Sequence, residues 1–157
     1  MKIKLLVIGK TDEKNLGQLI EKYQQRLNHY VNFDLEIIPD IKNVKNLSQL
    51  QQKDKEGELI LSKLKNTDQL VLLDEKGKEF RSLDFANFLQ KKMNSGIKQL
   101  VLVIGGPYGF SEAVYKKTTG KISLSKMTFS HQMIRLFVVE QLYRGFTILK
   151  NEPYHHE

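Results

Sequence analysis

Residues 99–111 read QLVLVIGGPYGFS, and residues 124–157 read LSKMTFSHQMIRLFVVEQLYRGFTILKNEPYHHE. In the first stretch an apolar run, Gln99 to Ile104, passes straight into a glycine–proline–glycine loop. Its uninterrupted LVLVI predicts a strand buried on both faces, as in a parallel sheet covered by helices. The second stretch follows a short strand expected over Lys121 to Leu124. It crosses a polar loop to Ser130, a candidate N-cap, and continues as an apolar helix and an aromatic, histidine-bearing tail. Two loops at the ends of neighbouring strands form a ligand cradle, because open α/β sheets bind ligands beyond the carboxyl ends of their strands.

Upstream, the chain reads as scaffold for that cradle. Ile3 to Ile8 is a short apolar run closed by Gly9, a buried strand. Asp12 is the candidate N-cap of a helix in which Leu16, Leu19, Ile20, Tyr23 and Leu27 recur at helical spacing. Phe33, Leu35 and Ile37 alternate with Asp34 and Glu36, a second strand stopped by Pro39. A helix starting near Leu47 is weakly apolar until Leu59, Ile60, Leu61 and Leu64, with Gly57 inside it for close packing or a bend. Gln69 to Leu73 is a third strand, and Asp74-Glu75-Lys76-Gly77 is expected to turn, with positive φ at the glycine. Ser82 is expected to cap a helix with the stripe Phe85, Leu89 and Met93, ended at Ser95-Gly96. Strands alternating with helices predict an α/β fold, a mostly parallel sheet with helices on both faces. The 157 residues make a single domain.

The composition narrows the function classes. No apolar run reaches the roughly 20 residues that span a bilayer, and KIKLLVIGK lacks a signal-peptide cleavage site. Without cysteine, thiolate chemistry, disulfides and zinc–cysteine sites are excluded, and a cytoplasmic location is expected. The formal charge of +7 suits a nucleic-acid partner, and equally a protein that is merely soluble and basic.

Several segments could carry chemistry. In Gly105-Gly106-Pro107-Tyr108-Gly109 the glycines permit close backbone approach to a ligand, and Ser111 caps a following helix. The loop is neither a dinucleotide fingerprint nor a P-loop, and by itself it fits a tight strand-to-helix turn as well. Leu124 to Phe129 could frame an adenine between apolar side chains, or be an ordinary loop. The last helix is apolar around nearly its whole circumference, from Met133 to Leu149, so one face packs on the sheet and the other calls for a second copy. A homodimer is therefore expected. Glu140 and Arg144 stand at ion-pair spacing. Tyr154 is a rigid aromatic anchor and His155 can move protons near neutral pH, unless the terminus simply frays. His131 is a weaker site candidate and His29 a surface residue.

Taken in order, VIGGPYGF (103–110), SLSKMTFSHQMIRL (123–136), VEQLYRGF (139–146) and NEPYHHE (151–157) resemble the bacterial ribosomal RNA large subunit methyltransferase H family of SPOUT methyltransferases. KIKLLVIGK, KDKEGELIL and VLLDEKGKEF extend the resemblance over the whole chain. It implies a deep trefoil knot within about residues 99–157, dimerisation through that region, and S-adenosylmethionine bound in the knot loops. By motif, the cofactor contacts would be Leu73, Gly105, Leu124, Ser125, Lys126, Met127, Thr128 and Phe129. The implied reaction methylates N3 of a pseudouridine in a 23S rRNA hairpin on assembled ribosomes, without a metal and away from membranes. Tyr154 and His155 of one subunit would shape the target-base pocket of the other, with His155 a candidate base. Arg135 and Arg144 would hold RNA phosphates. Two alternatives stand beside this one: a non-catalytic, basic, dimeric ribosome-binding module, and a related enzyme acting on transfer RNA.

Overall fold

The computed structural model describes residues 1–156. The elements are β1 (Lys2–Ile8), α1 (Lys14–Leu27), β2 (Asn32–Ile38), α2 (Gln49–Ser62), β3 (Asp68–Glu79), α3 (Ser82–Asn94), β4 (Gln99–Ile104), α4 (Glu112–Lys117), β5 (Gly120–Ser123) and α5 (Met133–Leu149). The five strands form one sheet in the order β2-β1-β4-β3-β5. Every neighbouring pair is parallel, with Leu5 opposite Leu102 and Leu72 opposite Val103.

The strand periodicity of two explains the layers. Ile3, Leu5, Val7, Leu100, Leu102 and Ile104 face one side, where Leu16, Ile20, Leu89, Val138, Leu142 and Phe146 from α1, α3 and α5 cover them. Leu6, Ile8, Val101, Val103, Leu70 and Leu72 face the other side, under Ile60 of α2 and Val114 of α4. Each fully buried aliphatic side chain contributes about 1.5–3 kcal/mol of transfer free energy. The LVLVI run is thus central because both of its faces are covered.

Local chemistry departs from the sequence expectations in three places. Asp12 does not cap α1: Glu13 holds the cap position without a side-chain bond, and the Asp12 N–H donates to Gln132 Oε1 at 3.0 Å. Ser82 is the first residue of α3, not its cap. At α2 the cap is Ser48, whose Oγ accepts from Gln51 N–H while Gln51 reaches back to Ser48 N–H, a reciprocal capping box.

The third departure shapes the site. β3 does not stop at Leu73 but runs on to Glu79. Its pairing with β5 shifts register, because Leu73 and Lys78 are both opposite Ile122, so residues 74–77 bulge from the ladder. Gly77 is not among the positive-φ residues. A Cβ there would lie 2.5 Å from the Ile122 carbonyl carbon, so the glycine permits close backbone approach rather than a turn. The interior glycine of α2 has a similar reason, since a Cβ on Gly57 would lie 2.2 Å from Ser111 Oγ.

Candidate active site

The bulge of β3 and the carboxyl ends of β4 and β5 open into a cavity of about 490 Å³. Leu73 and the bulge residues Asp74 to Lys76 form one wall, the loop Gly105–Gly109 a second, and the stretch from Ile122 to Phe129 a third. Of the eight residues expected to hold the cofactor, seven line it: Leu73, Gly105, Leu124, Ser125, Met127, Thr128 and Phe129. Lys126 is exposed and is not among the lining residues.

Each wall is fixed by local bonds. Three donors converge on the Leu70 carbonyl: Thr119 N–H at 2.8 Å, Thr119 Oγ1 at 2.8 Å and Thr118 Oγ1 at 3.0 Å. They pin the start of β5 to β3. The Ser123 hydroxyl donates to the Ser125 carbonyl at 2.8 Å, and Ser125 Oγ accepts from Met127 N–H at 2.9 Å, shaping the third wall. Ser111 caps α4 by accepting from Val114 N–H at 3.4 Å, whereas Ser130 Oγ accepts from Met133 N–H at 3.1 Å just ahead of α5, whose cap position is held by Gln132 without a side-chain bond.

The glycine loop is packed from behind. A Cβ on Gly105 would stand 3.1 Å from the Phe110 ring, and one on Gly106 only 2.0 Å from Glu56 Oε2. Glu56 on α2 is buried, and neither carboxyl oxygen has a full hydrogen bond among the described residues. Burial pushes its pKa up, aided by the Asp40 charge, while the nearby Gln52 side chain pulls the other way.

Sequence reasoning ranked His131 low, yet it is the histidine that lines this cavity within a single protomer. Tyr108 of the glycine loop lines it too, as do Asp74, Tyr115 and Ile134, which no sequence motif singles out. Tyr115 donates to the Asp74 carboxylate, and its phenol is pushed up to about 12 by burial first and by that bond second. Nothing in the sequence announces this pair, because it depends on the long-range docking of α4 beside the β3 bulge.

Arg135 is not where a phosphate could reach it. The side chain is wholly buried. Its guanidinium donates to the carbonyls of Ile8 at 2.7 Å, Gly9 at 2.8 Å and His131 at 3.1 Å, and to Thr11 Oγ1 at 3.2 Å. Burial lowers its pKa, and the charges of Asp12 and Asp40 oppose that. Instead of meeting RNA, Arg135 ties the start of α5 to the end of β1. Gln132 reinforces the tie by donating to the Lys10 carbonyl at 3.0 Å.

The tail lies elsewhere in the protomer. Tyr154 Oη donates to Glu140 Oε1 at 2.9 Å and lies 3.3 Å from Tyr23 Oη, with its ring edge-on to Tyr143 at 4.7 Å. Arg144 stacks over that ring at 4.7 Å, pairs with Glu140 at 2.8 Å and meets His155 Nδ1 at 3.2 Å. Burial, then the bonds to Tyr23 and Glu140, raise the Tyr154 pKa strongly. Tyr154 and His155 are therefore brought together with Arg144, but not with the cavity, whose lining includes none of the three. No helix of the described residues is long and apolar enough to cross a membrane, and those residues hold no cluster of three metal-ligating side chains.

The family model described as "Predicted SPOUT methyltransferase" matches residues 1–155. The chain is 74% identical to ribosomal RNA large subunit methyltransferase H of Flavobacterium psychrophilum over 157 residues, covering 100% of both chains. It is 73% identical to the protein of the same name from Flavobacterium johnsoniae, again over 100% of both. The corresponding Parabacteroides distasonis protein is 66% identical over 157 residues, with the same full coverage. Among solved structures, a probable methylase family protein from Haemophilus influenzae Rd KW20 superposes with a TM-score of 0.54 at 11% identity. That match covers 95% of this chain and 66% of the other, and shows likeness of fold.

Proposed function

Because the chain belongs to the SPOUT methyltransferases, within the ribosomal RNA large subunit methyltransferase H family, we propose that it transfers a methyl group from S-adenosylmethionine to N3 of a pseudouridine in a 23S rRNA hairpin of the assembled ribosome. What carries this reading is the cavity at the bulge of β3 and the ends of β4 and β5, in a chain related to such enzymes along its whole length. The fold of the family implies a trefoil knot in the segment after β4, and the loops of that segment wall the cavity.

The residues present fit the cofactor. A cavity of about 490 Å³ is within the range of small-molecule sites, and Gly105 sits so close to Phe110 that a Cβ would stand 3.1 Å from the ring, so its backbone forms the cavity wall there. Leu73, Gly105, Leu124, Ser125, Met127, Thr128 and Phe129 would hold it. When bound, S-adenosylmethionine supplies a methyl carbon on a sulfonium sulfur: deprotonated N3 forms the new C–N bond as the C–S bond breaks and its electron pair stays on sulfur. Leu73, Leu124, Met127 and Phe129 put apolar side chains into an otherwise mixed lining, which suits a reaction that dissipates charge. Orientation is the principal contribution of the walls.

Acceptance of the N3 proton needs a further group. We assign Tyr154 and His155 to the site of the second subunit of a homodimer, since in their own protomer they lie away from the cavity. The surface around the cavity supports such an assembly: Met127 is 76% exposed, and Phe129, Met133 and Tyr108 are exposed beside it. Such a patch on a small domain calls for a partner. A ribosomal substrate places the reaction in the cytoplasm.

The test is transfer of a labelled methyl group to intact ribosomes lacking the modification, with free rRNA and transfer RNA alongside. Label mapped to one hairpin pseudouridine of whole ribosomes is expected. Folded, donor-binding protein that labels no substrate would make it a non-catalytic ribosome binder, and label in transfer RNA alone would reassign the substrate.

A further inference from the structure

The two arginines expected to meet RNA are both engaged, Arg135 in the core and Arg144 with Glu140 and His155. The basic surface lies elsewhere. Between the end of β3, α3 and the edge strand β5 is an open cleft of about 770 Å³, walled by Lys78, Phe80, Phe88, Lys91, Lys92 and Lys121. Glu79 and Asp84 line it too, so four cations face two anions. None of the four ammonium groups is in an ion pair among the described residues. Lys78 Nζ lies 4.9 Å from the Phe80 ring and Lys92 Nζ 5.4 Å from the Phe88 ring, with Lys92 also donating to Gln69 at 2.6 Å, while Lys121 Nζ lies 5.5 Å from the Tyr115 ring of α4, at the donor-cavity side of β5. These weak partners hold the ammonium groups over an apolar floor without neutralising them.

The cleft also leads to the active site. A smaller hollow of about 290 Å³ shares Phe80 and Ile122 with the lysine cleft, and Ile122, Ser123, Leu124 and Phe129 with the methyl-donor cavity. The three hollows adjoin along β5 through these shared residues, from a cationic, aromatic end to the methyl-donor cavity.

Building on the rRNA methyltransferase reading, we propose that this track is the RNA-binding surface: Lys78, Lys91, Lys92 and Lys121 hold backbone phosphates of the strand flanking the target base. Phe80 and Phe88 underlie its riboses or bases, and the strand runs on into the donor cavity. Lysine suits the task, because point charges on flexible stems hold phosphates without reading sequence. Recognition of the correct base is then left to the cavity.

The test compares wild type with Lys91→Glu/Lys121→Glu, Lys78→Glu, the milder Lys91→Gln/Lys121→Gln, and a control pair at the opposite end of the sheet, Lys65→Glu/Lys98→Glu. Initial rates against ribosome concentration are measured at several salt concentrations. Equilibrium binding to ribosomes and 23S rRNA, donor binding and sedimentation are followed in parallel. The Lys91/Lys121 glutamate pair is expected to raise the KM for ribosomes on the order of tenfold and to flatten the salt dependence, by about 0.7 in log–log slope for each phosphate no longer held. Donor affinity and kcat stay near wild type, the glutamine pair falls between, and the control pair changes little. Unchanged KM, RNA affinity and salt slope would overturn the proposal. So would dissociation of the variants into protomers, which would make the cleft a subunit contact. If wild type labels no RNA, the enzymatic reading fails by itself, while the binding and salt data still decide the surface.

Discussion

Arg135→Met separates an architectural arginine from an RNA-binding one. The substitution keeps an unbranched, apolar stem and removes a guanidinium that makes four hydrogen bonds, at 2.7, 2.8, 3.1 and 3.2 Å. The Ile8 and Gly9 carbonyls lose their charged donor at the buried end of β1. Leaving these two buried carbonyls without that donor costs about 1–3 kcal/mol each. For a domain of this size each kcal/mol lowers Tm by about 2–4 °C, so a drop on the order of 10 °C follows. Arg135→Lys should lose roughly half as much, because one ammonium cannot span carbonyls that a planar fork reaches together. Thermal or urea unfolding at one fixed protein concentration checks this, since association would make Tm depend on concentration. The reasoning is refuted if Arg135→Met melts within about 1 °C of wild type while its binding to ribosomal RNA weakens and loses salt sensitivity. That outcome would mean the guanidinium is within reach of phosphate.

Other residues give shorter tests. Gly77→Ala places a Cβ about 2.5 Å from the backbone of Ile122, so β5 must move off β3; a loss of about 2–4 kcal/mol in unfolding and weaker donor binding by calorimetry are expected together. Burial raises the Glu56 pKa in the native state above its unfolded value, so wild type loses stability as pH rises above about 4.5. Glu56→Gln, free of that cost, should melt higher than wild type at pH 8, by roughly 1–3 kcal/mol, with the difference vanishing near pH 4; equal curves at both pH values would contradict it. Tyr154→Phe, which loses the 2.9 Å bond to Glu140, should cost about 1 kcal/mol of stability and slow methyl transfer, with donor affinity intact. Mixing His155→Ala with Gly105→Val protein should restore part of the activity if the tail serves the other subunit's cavity, and no recovery would tell against that arrangement.

How much of the site was legible follows from how local each signal is. The LVLVI run, the GGPYG loop and the Ser111 cap are written in neighbouring residues, and the structure has them as strand, loop and cap at the mouth of the cavity. His131 looked minor because a histidine in a first helical turn has no distinctive spacing. Its place in the cavity wall comes from Arg135 and Gln132 fastening that turn to β1. Arg135 misled for the same reason: nothing near it in this largely apolar helix reveals the carbonyls of Ile8 and Gly9 that surround it. Gly77 looked like a turn glycine because its constraint, the Ile122 backbone, is 45 positions away in the chain.

The α/β alternation, the buried centre of the sheet and the loops that line the cavity are legible in the residues alone, because hydrophobic period, caps and glycines act over a few positions. The order β2-β1-β4-β3-β5, the continuation of β3 past Leu73, the burial of Arg135 and the separation of the Tyr154–His155 tail from the cavity emerge with the folded chain. Those features depend on which distant backbone groups meet. Buried carbonyls must find donors wherever the folded chain supplies them, and that pairing has no periodicity along the sequence.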